Sequence, residues 1–265
     1  MSTSTENTEL TFNTLPTSFR ALTEEIFKDS QPSASILPLP DIVDAEAIHV
    51  ERWLHPDESQ KLATFTFEKR HREWLGGRIC AKQSLGVFSR RILSTSIVIP
   101  EHTQYTIQSE DSGRPYFASI NGLDFIFPEL SISHSNDFAA AMSSASPCGI
   151  DIQFSAKNLD RVRERFCSEP EEELLEQELD KSSDLSKLTL LWSAKEAVKK
   201  MLSPGGIPGF QELLLRRIEQ RNKTDMIFTF SRNSETTSIK TVVSMIHDDY
   251  AVAICCAGKR PANDK

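Results

Sequence analysis

Several signatures are missing from this 265-residue chain, and each absence removes a class of chemistry. There is no GxGxxG turn, no Walker-type GK[ST], no GxSxG elbow and no Cys/His cluster with metal-ligand spacing. Hydride transfer, P-loop hydrolysis and serine acyl transfer are therefore unsupported. The five cysteines are odd in number and lack CxxC spacing, and Cys255 and Cys256 are adjacent in an apparent strand, where pairing is awkward. Reduced, buried thiols and a cytoplasmic location are the expectation. An excess of basic charge is also lacking: the formal net charge of -8 argues against a general nucleic-acid binder, while leaving room for a local basic pocket that takes a small anion. No apolar run is long enough to span a bilayer. The opening MSTSTENTELTFNTLPTSFR has neither a basic n-region nor an apolar h-region, so no secretory signal is expected.

What is present reads as a soluble α+β protein. Residues 1–40 are rich in Ser, Thr and Pro and suggest an extension or loosely docked arm, with one helix-compatible piece at Phe19–Phe27. IHVERW, from Ile48, suggests a short strand; a helix then starts at Pro56-Asp57-Glu58, and a longer one runs over Lys69–Phe88. That longer helix carries Gly76 and Gly77, whose cost in a helix interior implies close approach by something. Strand-like pieces follow at Ser96–Ile99, Gln104–Gln108, Tyr116–Phe117, SISHSNDFAAAMSSA and GIDIQF. Helical segments are expected at Asn158–Phe166 and Glu171–Leu179, and antiparallel strands at Met226–Phe230, Ile239–Ile246 and Tyr250–Cys255. The recurrence suggests duplication: Arg78, Lys82 and Leu85 align with Lys195, Lys199 and Leu202, and DFAAAM aligns with DYAVAI. A pseudo-dimer of two α+β halves follows, each an antiparallel sheet with packed helices, meeting near Pro147 with the active site at their interface. The halves would span 41–147 and 148–258, with a tail at 259–265.

Leu190–Met201, LLWSAKEAVKKM, is the most informative stretch. On a helix, Leu190, Leu191, Ala194, Ala197, Val198 and Met201 share one face, while Trp192, Lys195, Glu196 and Lys199 gather on the other. Taken alone, Glu196 paired with Lys199 and Lys200 describes an ordinary surface helix. In GIDIQF, alternation puts Asp151, Gln153 and Ser155 on the face opposite Ile150 and Ile152. Two carboxylates, Asp151 and Glu196, suffice for Mg²⁺ when the substrate brings phosphate oxygens; Asp151 read by itself is equally a local hydrogen bonder. His134 in SISHSND is either a structural hydrogen bonder or the wall of an anion pocket. The run Lys69, Arg70, Arg72, Arg78, Lys82 is a solvated helix face or, around Arg72 with Gly76 one turn on, a grip for phosphate.

The ordered set GRPYF (Gly113–Phe117), SISHS (Ser131–Ser135), GIDIQ (Gly149–Gln153), FCSEPEEELL (Phe166–Leu175) and WSAKEAVKK (Trp192–Lys200) resembles the 4′-phosphopantetheinyl transferases of the surfactin-synthetase (Sfp) type. The resemblance covers about Ile48 to Ala257 and leaves the first 40 residues aside. It implies transfer of the phosphopantetheine arm of coenzyme A to a serine of an apo acyl or peptidyl carrier protein, releasing adenosine 3′,5′-bisphosphate. By the same resemblance Asp151 and Glu196 would bind Mg²⁺, and Glu196 would act as, or position a water acting as, the base. Lys199 would hold the diphosphate, and Ser155 would donate to it. Ser133, His134 and Arg72 would contact the 3′-phosphate; Arg114 and Pro115 would lie along the adenine; Arg78 and Lys61 are weaker members of the basic rim. A single pseudo-dimeric chain is expected to be monomeric, with no nucleic-acid or membrane partner.

One departure stands out: Gln153 replaces a Glu found in many such enzymes, so it could reach a metal only by its carbonyl oxygen or through water, and weaker Mg²⁺ affinity is expected. Two rivals remain open. A non-catalytic binder of coenzyme A or a carrier protein would not need Asp151, Glu196 and Lys199 together. A metal-dependent phosphohydrolase would leave SISHS and GRP without a role. For carrier docking, Arg161, Arg163, Arg165, Arg216 and Arg217 are candidates.

Overall fold

The computed structural model describes residues 10, 12, 15–42, 49–92, 98–120, 122–233 and 237–258. Its elements, in chain order, are α1 (Thr17–Ile26), β1 (Ser33–Pro38), α2 (Pro56–Leu62), α3 (Glu68–Ile92), β2 (Tyr105–Ser109), β3 (Pro115–Ser119), β4 (Glu129–Ser135) and β5 (Phe138–Ser144). There follow β6 (Cys148–Phe154), α4 (Asn158–Arg161), α5 (Glu169–Glu178), α6 (Asp184–Leu202), β7 (Leu213–Gln220), β8 (Asp225–Arg232), β9 (Ser238–Ile246) and β10 (Tyr250–Cys256). From β1 onward the order strand, two principal helices, four strands occurs twice. The second half forms one antiparallel sheet, β6-β10-β9-β8-β7; in the first, the same path divides into β1-β5-β4 and a β2-β3 hairpin. The chain is a pseudo-dimer of two α+β halves.

A buried lysine anchors each half in the same way. In the second half, Glu171 closes a capping box at the start of α5, taking the Ser168 N–H at 2.9 Å. The same carboxylate accepts the Leu215 N–H at 2.8 Å and the Lys195 ammonium at 2.7 Å. In the first half, Glu58 caps α2 through the His55 N–H, accepts the Ile107 N–H at 2.9 Å and binds Lys82 at 2.5 Å. Lys82 and Lys195 each give further bonds to backbone carbonyls, at His102 and Phe166 respectively. Burial lowers both ammonium pKa values, and the carboxylates oppose that shift. Lys82 therefore corresponds to Lys195, one helical turn before the residue with which sequence alignment paired it. The DFAAAM and DYAVAI match stands: these are the β5 and β10 strands, antiparallel to β1 and β6.

Residues 15–38, expected as a loose arm, are built into the fold. Phe19 is fully buried, and with Leu22 and Phe27 it packs against Ile227, Val242 and Ile254. β1 is the first half's counterpart of β6 and pairs along all of its length with β5. The close approach anticipated at Gly76 comes from this strand layer: a Cβ there would lie 2.5 Å from Leu39 Cδ2 and 3.1 Å from Ala139 Cβ. A core contact, not a ligand, requires that glycine. Two other expectations differ. Val50–Arg52 forms a 3₁₀ turn in place of a strand, Ile48 lying outside the described residues. Of the strand expected over Ser96–Ile99, positions 96 and 97 are likewise outside, and 98–100 form none.

The halves meet along β4 and β6 without a backbone ladder. Ser131, Ser133 and Ser135 alternate on β4, and their hydroxyls accept the N–H groups of Ile150, Ile152 and Phe154 at 3.1, 3.3 and 3.0 Å. Side chains thus take the place of the carbonyls that a paired strand would supply.

Candidate functional site

Asp151 sits at the middle of β6, 5% exposed as a residue, on the seam between the halves. Its Oδ1 accepts the Ser133 hydroxyl and the Lys200 ammonium, each at 2.8 Å. Its Oδ2 is buried and has no hydrogen-bond partner among the described residues. Burial pushes the carboxyl above its ordinary pKa; Lys200 and the Ser133 bond pull it back, and Glu196 adds a further upward push.

α6 brings the other charges. Its core face is as the periodicity requires, with Leu190, Leu191, Ala194, Ala197, Val198 and Met201 buried. What lets it lie so close on β6 is Gly149: a Cβ there would fall 1.9 Å from the Ala197 carbonyl oxygen. Ser193 donates to the Asp151 carbonyl, and Lys200 to the Ile150 carbonyl at 2.9 Å. The polar face is narrower than expected. Lys195 belongs to the buried pair with Glu171, and Trp192 packs against Phe166 and Phe210. Glu196 and Lys199 remain, paired at 2.8 Å, with the Lys199 ammonium 3.8 Å from the Phe210 ring centroid.

Glu196, Lys199 and Lys200 line a cleft of about 260 Å³ together with Gly113, Arg114, Pro115, Ser131 and Ile207. Arg114 is held by Glu129 and, at 3.8 Å, by Glu110. Arg114 and Pro115 therefore reach the cleft. Ser133 faces Asp151 and the β6 backbone, so its hydroxyl is committed to positioning the carboxylate and not turned to an incoming phosphate. His134 projects on the other side of β4, 3.6 Å from Glu73, and the cations that bear on it are Arg70, Lys200 and Lys69. Its pKa is lowered, burial leading and Glu73 opposing.

Other expected members lie elsewhere. Arg72 turns to Glu68 at 3.5 Å. Arg78 stacks over Trp74 at 4.1 Å, and burial depresses its pKa to about 10. Lys61 lies over Phe65. Ser155 meets Thr189, two turns of α6 before Glu196. The Gln153 amide nitrogen bonds the Phe154 carbonyl of its own strand at 2.9 Å. Two residues escaped the sequence reading as site members: Lys200, which holds Asp151, and Arg70, which bears on His134. Lys200 carried a usable signal, lying one turn beyond Glu196 and so on the same helix face.

Asp151 and Glu196 fit a divalent cation. Asp151 Oδ2 is a buried carboxylate oxygen left without a partner among the described residues, and Glu196 is a second carboxylate close enough to act on it, which is a donor pair a hard cation can use. Among the described residues no three His, Cys, Asp or Glu side chains gather. Such an ion would take these two residues, with substrate oxygens and water completing its shell.

Residues 147–255 match the ACPS family, the 4′-phosphopantetheinyl transferase superfamily. No curated protein matches the chain. The matched segment begins just before β6 and contains Asp151, Glu196, Lys199 and Lys200. It supports phosphopantetheine transfer in general. Among the described residues no helix is long and apolar enough to cross a membrane.

Proposed function

We propose that this chain is a 4′-phosphopantetheinyl transferase of the Sfp type, which moves the phosphopantetheine arm of coenzyme A to a serine hydroxyl of an apo acyl or peptidyl carrier protein. The observation that carries the reading is that Glu196, Lys199 and Lys200 line one cleft while Lys200 also holds the buried Asp151 carboxylate behind it at 2.8 Å. Mg²⁺ held by Asp151 and Glu196 would neutralise charge on the diphosphate. Glu196 accepts the proton of the incoming serine as its oxygen attacks the β-phosphorus. The bond from that phosphorus to the bridging oxygen breaks, and adenosine 3′,5′-bisphosphate leaves with the electron pair. Lys199, in the cleft wall, meets the developing negative charge; Lys200 opposes the upward push of burial on the Asp151 carboxyl. Arg114 and Pro115 serve the adenine end. His134, with Arg70, Lys69 and Lys200 around it, serves the 3′-phosphate in place of Arg72 and Ser133. Since phosphoryl transfer needs alignment and charge neutralisation more than covalent help, these residues suffice.

The test is mass spectrometry of an apo carrier protein incubated with coenzyme A, Mg²⁺ and this protein. Wild type should add one phosphopantetheine arm per carrier, and Glu196→Gln should lose transfer by at least roughly 10²-fold while still binding coenzyme A. Carriers of several classes left unmodified by a protein that binds coenzyme A would favour the non-catalytic binder.

A further inference from the structure

The relation that equates Lys82 with Lys195 also assigns counterparts to the charged residues of the Asp151 site, Gly86 standing where Lys199 stands. Gln83 follows Lys82 as Glu196 follows Lys195, and Val87 stands where Lys200 stands. Ser35 lies opposite Ala141 in the β1–β5 pair, as Asp151 lies opposite Ala253 in β6–β10; the two alanines hold the same place in DFAAAM and DYAVAI. Of these counterparts, Ser35, Gln83 and Val87 meet at a second cleft of about 260 Å³, between β1, α3 and the overlying α1.

The chemistry has changed while the cavity has remained. A serine and a glutamine stand for the two carboxylates, and a glycine and a valine for the two lysines, so the cleft lacks that pair of carboxylates. In its place, Ser33 is 2% exposed and its hydroxyl has no partner among the described residues. Ser35 is also buried, beside the Cys80 thiol. Arg20 is exposed at the rim, where Arg91 is already bound to Glu24 at 3.1 Å and to the Pro32 carbonyl. Leu15, Val87 and Ile254 supply apolar wall. A ligand that satisfies all of this has one anionic end, a hydrogen-bonding group within, and an aliphatic body.

We propose that this twin cleft is a metal-free binding site for an anionic, amide-bearing chain of the kind that 4′-phosphopantetheine represents. The anion lies on Arg20 at the rim, a carbonyl accepts the Ser33 hydroxyl at depth, and the aliphatic part lies along Leu15, Val87 and Ile254. The choice of 4′-phosphopantetheine among such chains rests on the proposed function, whereas the cleft itself involves neither metal nor Asp151.

The experiment is calorimetric titration of the full chain with 4′-phosphopantetheine in the presence of EDTA. Wild type and Asp151→Asn should each bind one equivalent. Val87→Trp, which fills the cleft, and Arg20→Glu, an exposed helix position whose change leaves the fold intact, should each weaken binding at least tenfold. Thermal unfolding checks that Val87→Trp is folded; if it is not, Arg20→Glu decides. No binding by wild type overturns the proposal. So does binding that is lost in Asp151→Asn and kept in Arg20→Glu, which would put the ligand in the other cleft. Equal affinity for octanoate would overturn the role given to Ser33.

Discussion

Lys199 and Lys200 are neighbours in sequence with different work, because the turn of the helix sends one ammonium to Glu196 and an aromatic ring and the other to Asp151. Removing Lys200 leaves a buried carboxylate that burial and Glu196 both push toward the protonated form. Lys200→Met should therefore cut transfer on the order of 10²-fold and raise the Mg²⁺ concentration needed for half-maximal rate. An unchanged Mg²⁺ requirement would remove Lys200 from this role. His102 offers a test unrelated to catalysis. It stacks on Trp53 at 4.6 Å, and burial, with Lys82 nearby, depresses its pKa from 6.5 to about 4. A depressed folded-state pKa gives stability that is present above the unfolded value and lost as pH falls through the folded one. The stability difference between wild type and His102→Phe should thus shrink from about pH 6.5 down to about pH 4; denaturant midpoints across that range would show it, and a constant difference would refute it. At this scale Asp151 and Glu196 were legible because a carboxylate projecting from an otherwise apolar element needs a reason. The serine roles were not, since a hydroxyl's partners depend on which strand lies alongside.

Among elements, the clearest lesson is the buried lysine. Helical periodicity puts Lys195 beside Glu196 on a polar face, yet Glu171 and two carbonyls draw it into the core. Breaking such a pair strands a charge, so Lys195→Met should cost about 3–5 kcal/mol, and a thermal scan should show Tm lower by roughly 6–20 °C. Lys199→Met, in a part-exposed pair, should cost at most about 1 kcal/mol while reducing transfer. A similar Tm for both variants would sink this division of labour. The strand β7, LLLRRIEQ, went unrecognised for a related reason. Leu, Arg, Glu and Gln are good helix formers, and only its pairing with β8 and the Glu171 bond to Leu215 make it a strand. By contrast α6 and β6 were readable from their apolar period, and β5 and β10 from short continuous apolar runs that match one another.

For the molecule as a whole, duplication was legible and its register was not. Short motifs located β5 and β10, but aligning cations on the helices favoured Lys199 over Lys195, because sequence does not distinguish a buried ammonium from an exposed one. Residues 15–40 misled because Ser, Thr and Pro dominate the composition of the N-terminal stretch, while a few apolar residues, Phe19, Leu22, Ile36 and Leu37, do the packing; positions 1–9, 11, 13 and 14 of the expected arm lie outside the described residues. The twofold relation has a countable outcome. With Ser35 and Gln83 opposite Asp151 and Glu196, only one cleft keeps a pair of carboxylates. Titration with Mn²⁺ followed by electron paramagnetic resonance should give one strong site per chain, lost in Asp151→Asn, and a second site of equal strength would contradict the assignment of counterparts.

The serine seam between β4 and β6 bears on how the two halves move together. A backbone ladder is stiff, since its donors and acceptors are fixed by the chain and can only stay paired or break. Here each acceptor is a hydroxyl on a rotatable Cα–Cβ bond. Such a joint has a freedom that a ladder lacks, since a small rotation about that bond lets an acceptor follow its donor. Ser133 accepts the Ile152 N–H and donates to the Asp151 carboxylate, so a single rotatable hydroxyl ties the seam to that charge.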